Sequence, residues 1–323
     1  MSYLSRKQLG EKIAAFLAWK RAMGSPYLSG EKALRSFESF AARISKPSVR
    51  VCLATAIPAW LERGHKRNPV TLNHELAPVR QFCLYLRRFD ATAYVPPVSL
   101  APVTNSNYVP YVLSRDEIHN LIEVAGLPRR GAKLWPGVLR MLLITMYCTG
   151  ARTGETARLK LNDFDRTKRV LHIRDSKGRS RDLPYRQDLA RQFDQYLRER
   201  TAVLRAHSRD GEPALFVDSY GHAVTPSLIS TTIGLLMKRL DMKGGSGRSK
   251  PRAYSLRHTF AVHRLTSWYH DGHSVDARLP WLSAYMGHID LLGTEVYLKA
   301  TPELLGLASK RFSARFSKSG KSS

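Results

Sequence analysis

A cluster of prolines interrupts the chain about a third of the way along its length. Pro96, Pro97, Pro102 and Pro110 stand close together, and each proline lacks a backbone N–H and disfavours helix in the residue before it. Residues 96–112 are therefore predicted to form a linker without regular secondary structure. Because a chain of 323 residues is long enough for two domains of ordinary size, the break predicts one domain on each side.

The segments beside the linker differ in size. Four stretches before it repeat apolar residues at helical spacing, which predicts a helical domain over residues 1–95. After it, Ser114 and Glu117 have the spacing of a capping box at the start of a helix, and the second domain is predicted over residues 113–312. Residues 313–323 are basic and rich in serine, and they are predicted to form a flexible tail.

The expected fold class is mainly α with a small antiparallel β element (α+β). Residues 133–147 are apolar on nearly all sides, which is typical of a buried helix. The run is interrupted by Pro136 and Arg140 and is shorter than the ~18 residues that a membrane span needs. Residues 170–173 and 181–184 flank a turn that contains glycine, and this pattern predicts a two-stranded hairpin.

The charge of the chain indicates the class of its partner. Lys and Arg number 52 against 26 Asp and Glu, for a net charge of +26 and an isoelectric point near 10.3. Such an excess, shared by both halves of the chain, favours a polyanion, and nucleic acid is the leading candidate. A generally cationic surface without a specific partner is the alternative interpretation.

The cysteines and the first residues bear on the compartment. Cys52, Cys83 and Cys148 are odd in number and lack CxxC spacing, so we expect reduced core residues of a cytosolic protein. The first residues are broken by charges and lack the apolar core of a signal peptide. The expected location is the cytoplasm.

Three motifs in the predicted second domain combine arginines with residues that donate hydrogen bonds. The first is Gly150–Ala–Arg152–Thr–Gly–Glu155, the second is Tyr254–Ser–Leu–Arg257–His258, and the third is Met286–Gly–His288, with Tyr297 nine residues after that histidine. Guanidinium groups bind phosphate oxygens through two parallel hydrogen bonds. A tyrosine beside them has the chemistry of a covalent nucleophile.

In this order, and with a basic segment around Lys177 between the first two motifs, the chain resembles the catalytic domain of the tyrosine recombinases, or phage integrase family, over about residues 110–312. The resemblance implies a two-domain DNA clamp with a helical, SAM-like core-binding domain at the amino terminus. It also implies that Tyr297 attacks a phosphodiester to leave a 3′-phosphotyrosyl enzyme. The other catalytic residues that it implies are Arg152, Lys177, Tyr254, Arg257 and His288.

Two positions admit alternatives. The family usually has histidine three residues before the second arginine, whereas this chain has Tyr254, a phenol that titrates near ~10 and is a poor base at neutral pH. Tyr254 is interpreted as a hydrogen-bond donor to phosphate, with a packing role as the alternative. Lys177, which is expected to protonate the departing 5′ oxygen, could be confused with Arg179 or Arg181.

No cofactor or metal is expected. The carboxylates lack ligand spacing, the His270 and His273 pair has no further ligands nearby, and the glycine-rich segment from Lys243 lacks the pattern of a nucleotide-binding loop. The resemblance implies double-stranded DNA with an inverted-repeat site as partner, and a homotetramer on two synapsed sites, with a second recombinase or accessory protein as an open question. No membrane partner is expected.

The expected function is site-specific recombination for integration, excision or resolution of a mobile element or replicon, by a nucleoid-associated bacterial protein. Two alternatives use the same fold. One is strand passage by an enzyme of the type IB topoisomerase class, and the other is DNA binding with weak or no catalysis.

Overall fold

The computed structural model describes most of the chain. The described residues are 3–44, 50–63, 68–102, 110–176, 179–244, 249–295, 297–298, 306, 309 and 313, with the backbone only at 175, 176 and 179. The chain divides into two compact units, residues 1–107 and 108–323. Each unit has hydrophobic core residues of its own.

The first unit is a set of helices with one short strand pair. Its helices are α1 (Arg6–Ala22), α2 (Leu28–Ile44), α3 (Leu53–Glu62) and α4 (Pro69–Arg87), and its antiparallel strands are β1 (Tyr3–Leu4) and β2 (Val51–Cys52). The core is aromatic at its centre, where Phe16, Phe37, Trp60 and Phe82 are fully buried. The ring of Phe16 contacts that of Phe82, and the ring of Phe37 contacts that of Trp60.

The third helix begins later than its sequence pattern predicts. The apolar run from Val49 predicts a helix that starts after Ser48, whereas α3 starts at Leu53. Residues 51 and 52 instead pair with residues 3 and 4, because a distant strand satisfies their backbone groups. Ser48 lies outside the described residues.

Part of the predicted linker belongs to the first unit. Residues Val98–Leu100 form a 3-10 turn, and Ala101 is buried in the core of this unit. The amide of Asn73 on α4 donates to the carbonyl oxygen of Pro102 at 2.7 Å. The prolines therefore exclude longer elements without preventing a short turn that packs on the domain.

The second unit combines helices with a three-stranded antiparallel sheet. Its strands are β3 (Phe164–Asp165), β4 (Val170–Ser176) and β5 (Arg179–Pro184), in the order β3-β4-β5. Its helices are α5 (Arg115–Ala125), α6 (Pro136–Thr149), α7 (Thr153–Arg158), α8 (Gln187–Ala206), α9 (Pro226–Arg239), α10 (Ser255–His270), α11 (Val275–Met286) and α12 (Leu292–Glu295).

Helix α6 is the centre of this unit. It packs against α5, α8 and α10, and its residues from Val138 to Met146 are almost all buried. Pro136 occupies the first turn, where the missing N–H costs nothing, and Gly150 ends the helix with φ of +63°. The prediction of a buried helix is confirmed with shifted limits, but Cys148 is exposed rather than in the core.

The hairpin predicted around residue 177 is present as β4 and β5, and β3 adds a third strand that the sequence pattern did not predict. The fold class, mainly α with small antiparallel sheets, is confirmed. Lys177 and Gly178 at the tip lie outside the described residues. Within the described chain, no helix is both long and apolar enough to cross a membrane.

Candidate active site

Arg152 follows directly on the end of the central helix. Gly150 takes a left-handed conformation, and a Cβ at this position would lie 2.5 Å from the ring of Phe260, so the turn requires glycine. The Arg152 guanidinium donates to the Glu155 carboxylate at 2.6 Å and, through Nη2, to the carbonyl oxygen of Gly287 at 3.0 Å. Arg152 is therefore held from two sides, with 17% of its side chain exposed.

Glu155 is a buried carboxylate shared by two arginines. Its side chain is 1% exposed, and it accepts two hydrogen bonds from Arg181 on β5, at 3.1 and 2.8 Å. The Nε of Arg181 donates to the carbonyl oxygen of Tyr285 at 2.8 Å. Arg181 thus connects the hairpin to the α6–α7 turn and to the end of α11.

Arg257 lies in the first turn of α10 and is fully buried. Its Nη1 donates to the carbonyl oxygen of Gly150 and its Nη2 to that of Met286, both at 2.6 Å. In the part of the chain that the structure describes, no carboxylate lies within 4 Å of this guanidinium and its Nε has no hydrogen-bond partner. Burial, and then the charge of Arg152, lowers the pKa of Arg257.

His288 lies just past the end of α11, where Gly287 has φ of +67°. Its Nε2 is 2.9 Å from Nη2 of Arg257, and its Nδ1 is 2.6 Å from Oγ1 of Thr294. Because a guanidinium only donates, Nε2 accepts and we assign the proton of the neutral ring to Nδ1. Burial, followed by the charges of Arg257 and Arg152, lowers the pKa of His288 to about 4.

Tyr297 is 2% exposed and lies between two imidazoles. Its ring centroid is 5.4 Å from that of His258 and 6.2 Å from that of His288. On the other side of His258, the ring of Tyr254 lies 4.8 Å away in an edge-to-face contact. The phenols of Tyr254 and Tyr297 are also near enough to Arg257 to raise its pKa against the effect of burial.

The structure therefore brings together five of the predicted site residues and leaves one undescribed. Those that it gathers are Arg152, Tyr254, Arg257, His288 and Tyr297. Lys177, the sixth, lies outside the described residues.

Comparison with known proteins identifies the family. The model of the phage integrase family matches residues 112–303, which is more than half of the chain. The chain belongs to the phage integrase family. The predicted family is confirmed, and with it the class of the enzyme, a site-specific DNA recombinase of the tyrosine type.

Relatives of this phage integrase family member match most of its length. It is 29% identical to y4rB of Sinorhizobium fredii, whose name describes an integrase or recombinase, over 95% of this chain and 97% of that one. It is 31% identical to tyrosine recombinase XerC 2 of Ralstonia nicotianae, over 73% of this chain and 64% of that one.

Solved structures share its fold. A XerH site-specific recombinase bound to a palindromic difH substrate has a TM-score of 0.63 at 18% identity, covering 96% of this chain and 85% of that one. The Tn1549 transposon integrase in complex with transposon right end DNA has a TM-score of 0.62 at 15% identity, covering 94% and 99%. The two-domain architecture is therefore that of the tyrosine recombinases.

Three residues around the site were not predicted as members of it. His258 follows Arg257 in the same helical turn, so its position was the available signal. Arg181 was considered only as an alternative to Lys177, because sequence does not reveal that it pairs with Glu155. Thr294 lies three positions before Tyr297, and nothing in the sequence marks this threonine as a site residue. Only its contact with His288 identifies it.

In the amino-terminal unit of this integrase family member, several basic residues already have intramolecular partners. Arg21, Arg35 and Arg63 pair with carboxylates, and Arg80 and Arg87 donate to backbone carbonyls. Lys66 and Arg67 lie outside the described residues. Lys20 and Arg88 lie over the ring of Trp19, and Lys32 is exposed on α2.

Proposed function

We propose that this protein cleaves and rejoins duplex DNA at specific sites through a 3′-phosphotyrosyl intermediate. One observation carries the proposal. Arg257 is a buried guanidinium whose hydrogen bonds go to carbonyl oxygens and to an imidazole, with no carboxylate within 4 Å among the described residues. A buried cation without a carboxylate partner is costly, and a phosphate between Arg257 and Arg152 would supply the missing charge.

The cleavage step would proceed by in-line displacement. The phenolic oxygen of Tyr297 attacks the scissile phosphorus, and the bond from phosphorus to the 5′ oxygen breaks. Arg152 and Arg257 stabilise the charge on the non-bridging oxygens. The bond energy is kept in the phosphotyrosyl ester, so the 5′ hydroxyl of a partner strand can reverse the step and complete recombination.

Three further residues would assist this step. His288 and Tyr254 donate hydrogen bonds to phosphate oxygens, and Lys177 protonates the departing 5′ oxygen. The roles of Tyr254 and Lys177 rest on the order of the motifs. Support for His288 comes from its Nε2, which lies 2.9 Å from Nη2 of Arg257.

The experiment is covalent trapping on a suicide DNA substrate. After cleavage, the short fragment that carries the 5′ hydroxyl dissociates, so the strand cannot be rejoined and the protein stays attached to the DNA. We expect a protein–DNA adduct with the wild-type protein and no adduct with Tyr297→Phe, at unchanged DNA affinity. Tyr220→Phe, at a position 53% exposed, is the matched control and should form the adduct at the wild-type level.

Other outcomes would replace the proposal. An adduct that persists in Tyr297→Phe excludes Tyr297 as the nucleophile. Tight and specific binding without any wild-type adduct indicates a DNA-binding protein on this fold. Relaxation of supercoiled DNA that lacks any preferred site indicates an activity of the type IB topoisomerase class.

Assembly as a homotetramer on two synapsed inverted-repeat sites is part of the same proposal. A cavity of about 480 Å³ in the second unit supports it. Aromatic side chains line the cavity, including Tyr147, Trp268 and Trp281, the last of which is 73% exposed. The segment after Tyr297 of a neighbouring protomer is the occupant that the family resemblance suggests for such a cavity.

The biological setting that we propose is the bacterial nucleoid, where the protein would integrate, excise or resolve a mobile element or a replicon. The names of its relatives include both integrases and Xer recombinases, so both kinds of reaction have precedents among similar proteins. A second recombinase or an accessory protein would take part where the site is not symmetric.

A further inference from the structure

Thr294 is a buried residue that contacts the imidazole of His288. Its side chain is fully buried, and its backbone N–H donates to the carbonyl oxygen of Leu291 at 2.8 Å. The next residue towards the amino terminus, Gly293, packs so closely on the imidazole that a Cβ there would lie 3.3 Å from its Cγ. The hydroxyl of Thr294 is therefore fixed at 2.6 Å from Nδ1 of His288.

The hydrogen bonds of His288 place the ring proton on Nδ1, which is not the nitrogen that the proposed chemistry needs to be protonated. Arg257 donates to Nε2 of His288, so the ring proton is on Nδ1 and is donated to Thr294. To donate to a phosphate oxygen, however, Nε2 itself must carry a proton. Either the ring becomes an imidazolium, or the neutral ring exchanges one tautomer for the other.

The surroundings of His288 disfavour the imidazolium. The charged and titratable groups that face the ring are Arg152, Arg181, Arg257, His258, Asp290 and Tyr297. Three of these are arginines, and only Asp290 opposes their charge. The neutral ring is accordingly the form that the site favours near pH 7.

A hydroxyl is the group that serves both tautomers, because it can accept from Nδ1–H and can also donate to a bare Nδ1. A carbonyl or carboxylate in the same place would only accept and would hold the proton on Nδ1. We propose that Thr294 is a positioning residue that allows neutral His288 to exchange tautomers when DNA binds, so that Nε2–H donates to the phosphate. This inference rests on the proposed function.

The exchange balances in protons. When the phosphate binds, Nη2 of Arg257 donates to a phosphate oxygen instead of to Nε2 of His288. Water then delivers a proton to Nε2, and Nδ1 gives its proton to water. The Thr294 hydroxyl then rotates and donates to Nδ1. The ring stays uncharged throughout, and no other reactant is needed.

The first test compares Thr294→Val, which has nearly the same shape without the hydroxyl, with Thr294→Ser, which keeps it. In single-turnover cleavage of the suicide substrate at pH 7.5, we expect the valine variant to be about 10- to 100-fold slower than wild type. The serine variant should stay within about 3-fold, and both should bind DNA as wild type does.

The second test reads the tautomer without any change at position 294. In Tyr297→Phe protein labelled with ¹⁵N-histidine, the nitrogen shifts of His288 should indicate Nδ1–H in the free protein and Nε2–H in the complex with uncleaved DNA. A proton that stays on Nδ1 in the complex overturns the inference. So do equal cleavage rates for the valine and serine variants, whereas a wild-type protein that forms no adduct overturns the proposed function itself.

Discussion

Two uncharged imidazoles flank the ring of Tyr297. Burial, followed by the charges of Arg252, Arg257 and His288, lowers the pKa of His258 to about 4, and that of His288 falls to about 4 for similar reasons. Two further cations would repel the buried Arg257. The site therefore concentrates its positive charge in the guanidinium groups and surrounds the phenol with neutral rings.

The buried His258 makes stability depend on pH. An imidazole whose pKa is lowered on folding binds fewer protons than it does in the unfolded chain, so the free energy of unfolding falls as the pH falls from about 6.5 towards 4. Between pH 7.5 and 5.0 we expect His258 to account for a loss of about 2 kcal/mol. Urea denaturation at both pH values measures this loss.

The variant His258→Gln removes the titrating group. It should lose about 2 kcal/mol less than wild type over that interval, whereas His119→Gln, at an exposed position, should lose as much as wild type. Equal losses in the wild type and in His258→Gln would show that His258 is not the source of the dependence.

At the scale of secondary structure, the ends of two helices hold the two arginines. The carbonyl oxygens of Gly150, after α6, and Met286, at the end of α11, accept from Arg257, and that of Gly287 accepts from Arg152. The last carbonyls of a helix lack partners within it and carry partial negative charge. The carbonyl oxygens at these helix ends thus accept hydrogen bonds from the buried guanidinium groups without neutralising their positive charge.

The turn at Gly150 should tolerate no side chain. Gly150→Ala forces an L residue to φ near +63° and brings a Cβ within 2.5 Å of Phe260, so we expect a loss of about 2–4 kcal/mol in urea denaturation. The same change should slow adduct formation, because the carbonyl oxygen of Gly150 orients Arg257. Gly234→Ala in α9, with no atom near the added Cβ, should instead gain about 0.5–1 kcal/mol.

The ion pair between β5 and the α6–α7 turn should also matter for stability. Arg181→Met leaves Glu155 buried with one fewer arginine, and we expect a loss of about 3 kcal/mol together with slower cleavage. Arg166→Met is the control, because the paired side chains of Arg166 and Asp194 are 62% and 37% exposed, and such exposed pairs contribute about 0–1 kcal/mol. Similar losses for both variants would contradict the importance of burial at Arg181.

For the whole molecule, the net charge of +26 governs association with DNA. Each phosphate that a Lys or Arg contacts releases about 0.9 counterions, so a protein with six to ten such contacts loses on the order of 10³–10⁵ in affinity between 50 and 200 mM salt. We expect a loss of this size in a titration by fluorescence anisotropy. Affinity that hardly changes with salt would mean that the charge does not serve DNA binding.

A single substitution can identify one such contact. Lys32 is exposed on α2. If this lysine contacts a phosphate, Lys32→Gln should reduce the slope of log affinity against log salt concentration by about one counterion. Arg21→Gln is the comparison, because Arg21 is paired with Glu31 at 2.5 Å and its loss should change the slope less.

Local spacing explains why so much of the site was accessible from sequence. Gly150 ends one helix and Gly287 another, so Arg152 and His288 are set by turns that a single glycine specifies. Arg257 lies in the first turn of α10, three residues after Tyr254. Boundaries were less accessible: α3 began at Leu53 because residues 51 and 52 pair with the start of the chain.

The sequence by itself determined the helical class and the family, and it predicted six candidate site residues, because glycine turns and helical periodicity act within a few positions. Only the tertiary structure decided that Glu155 lies between Arg152 and Arg181, that Thr294 holds His288, and that His258 contacts Tyr297. Each of these contacts joins buried groups from segments that are far apart in the sequence. The packing of α6, α10 and α11 with β5 brings these segments together.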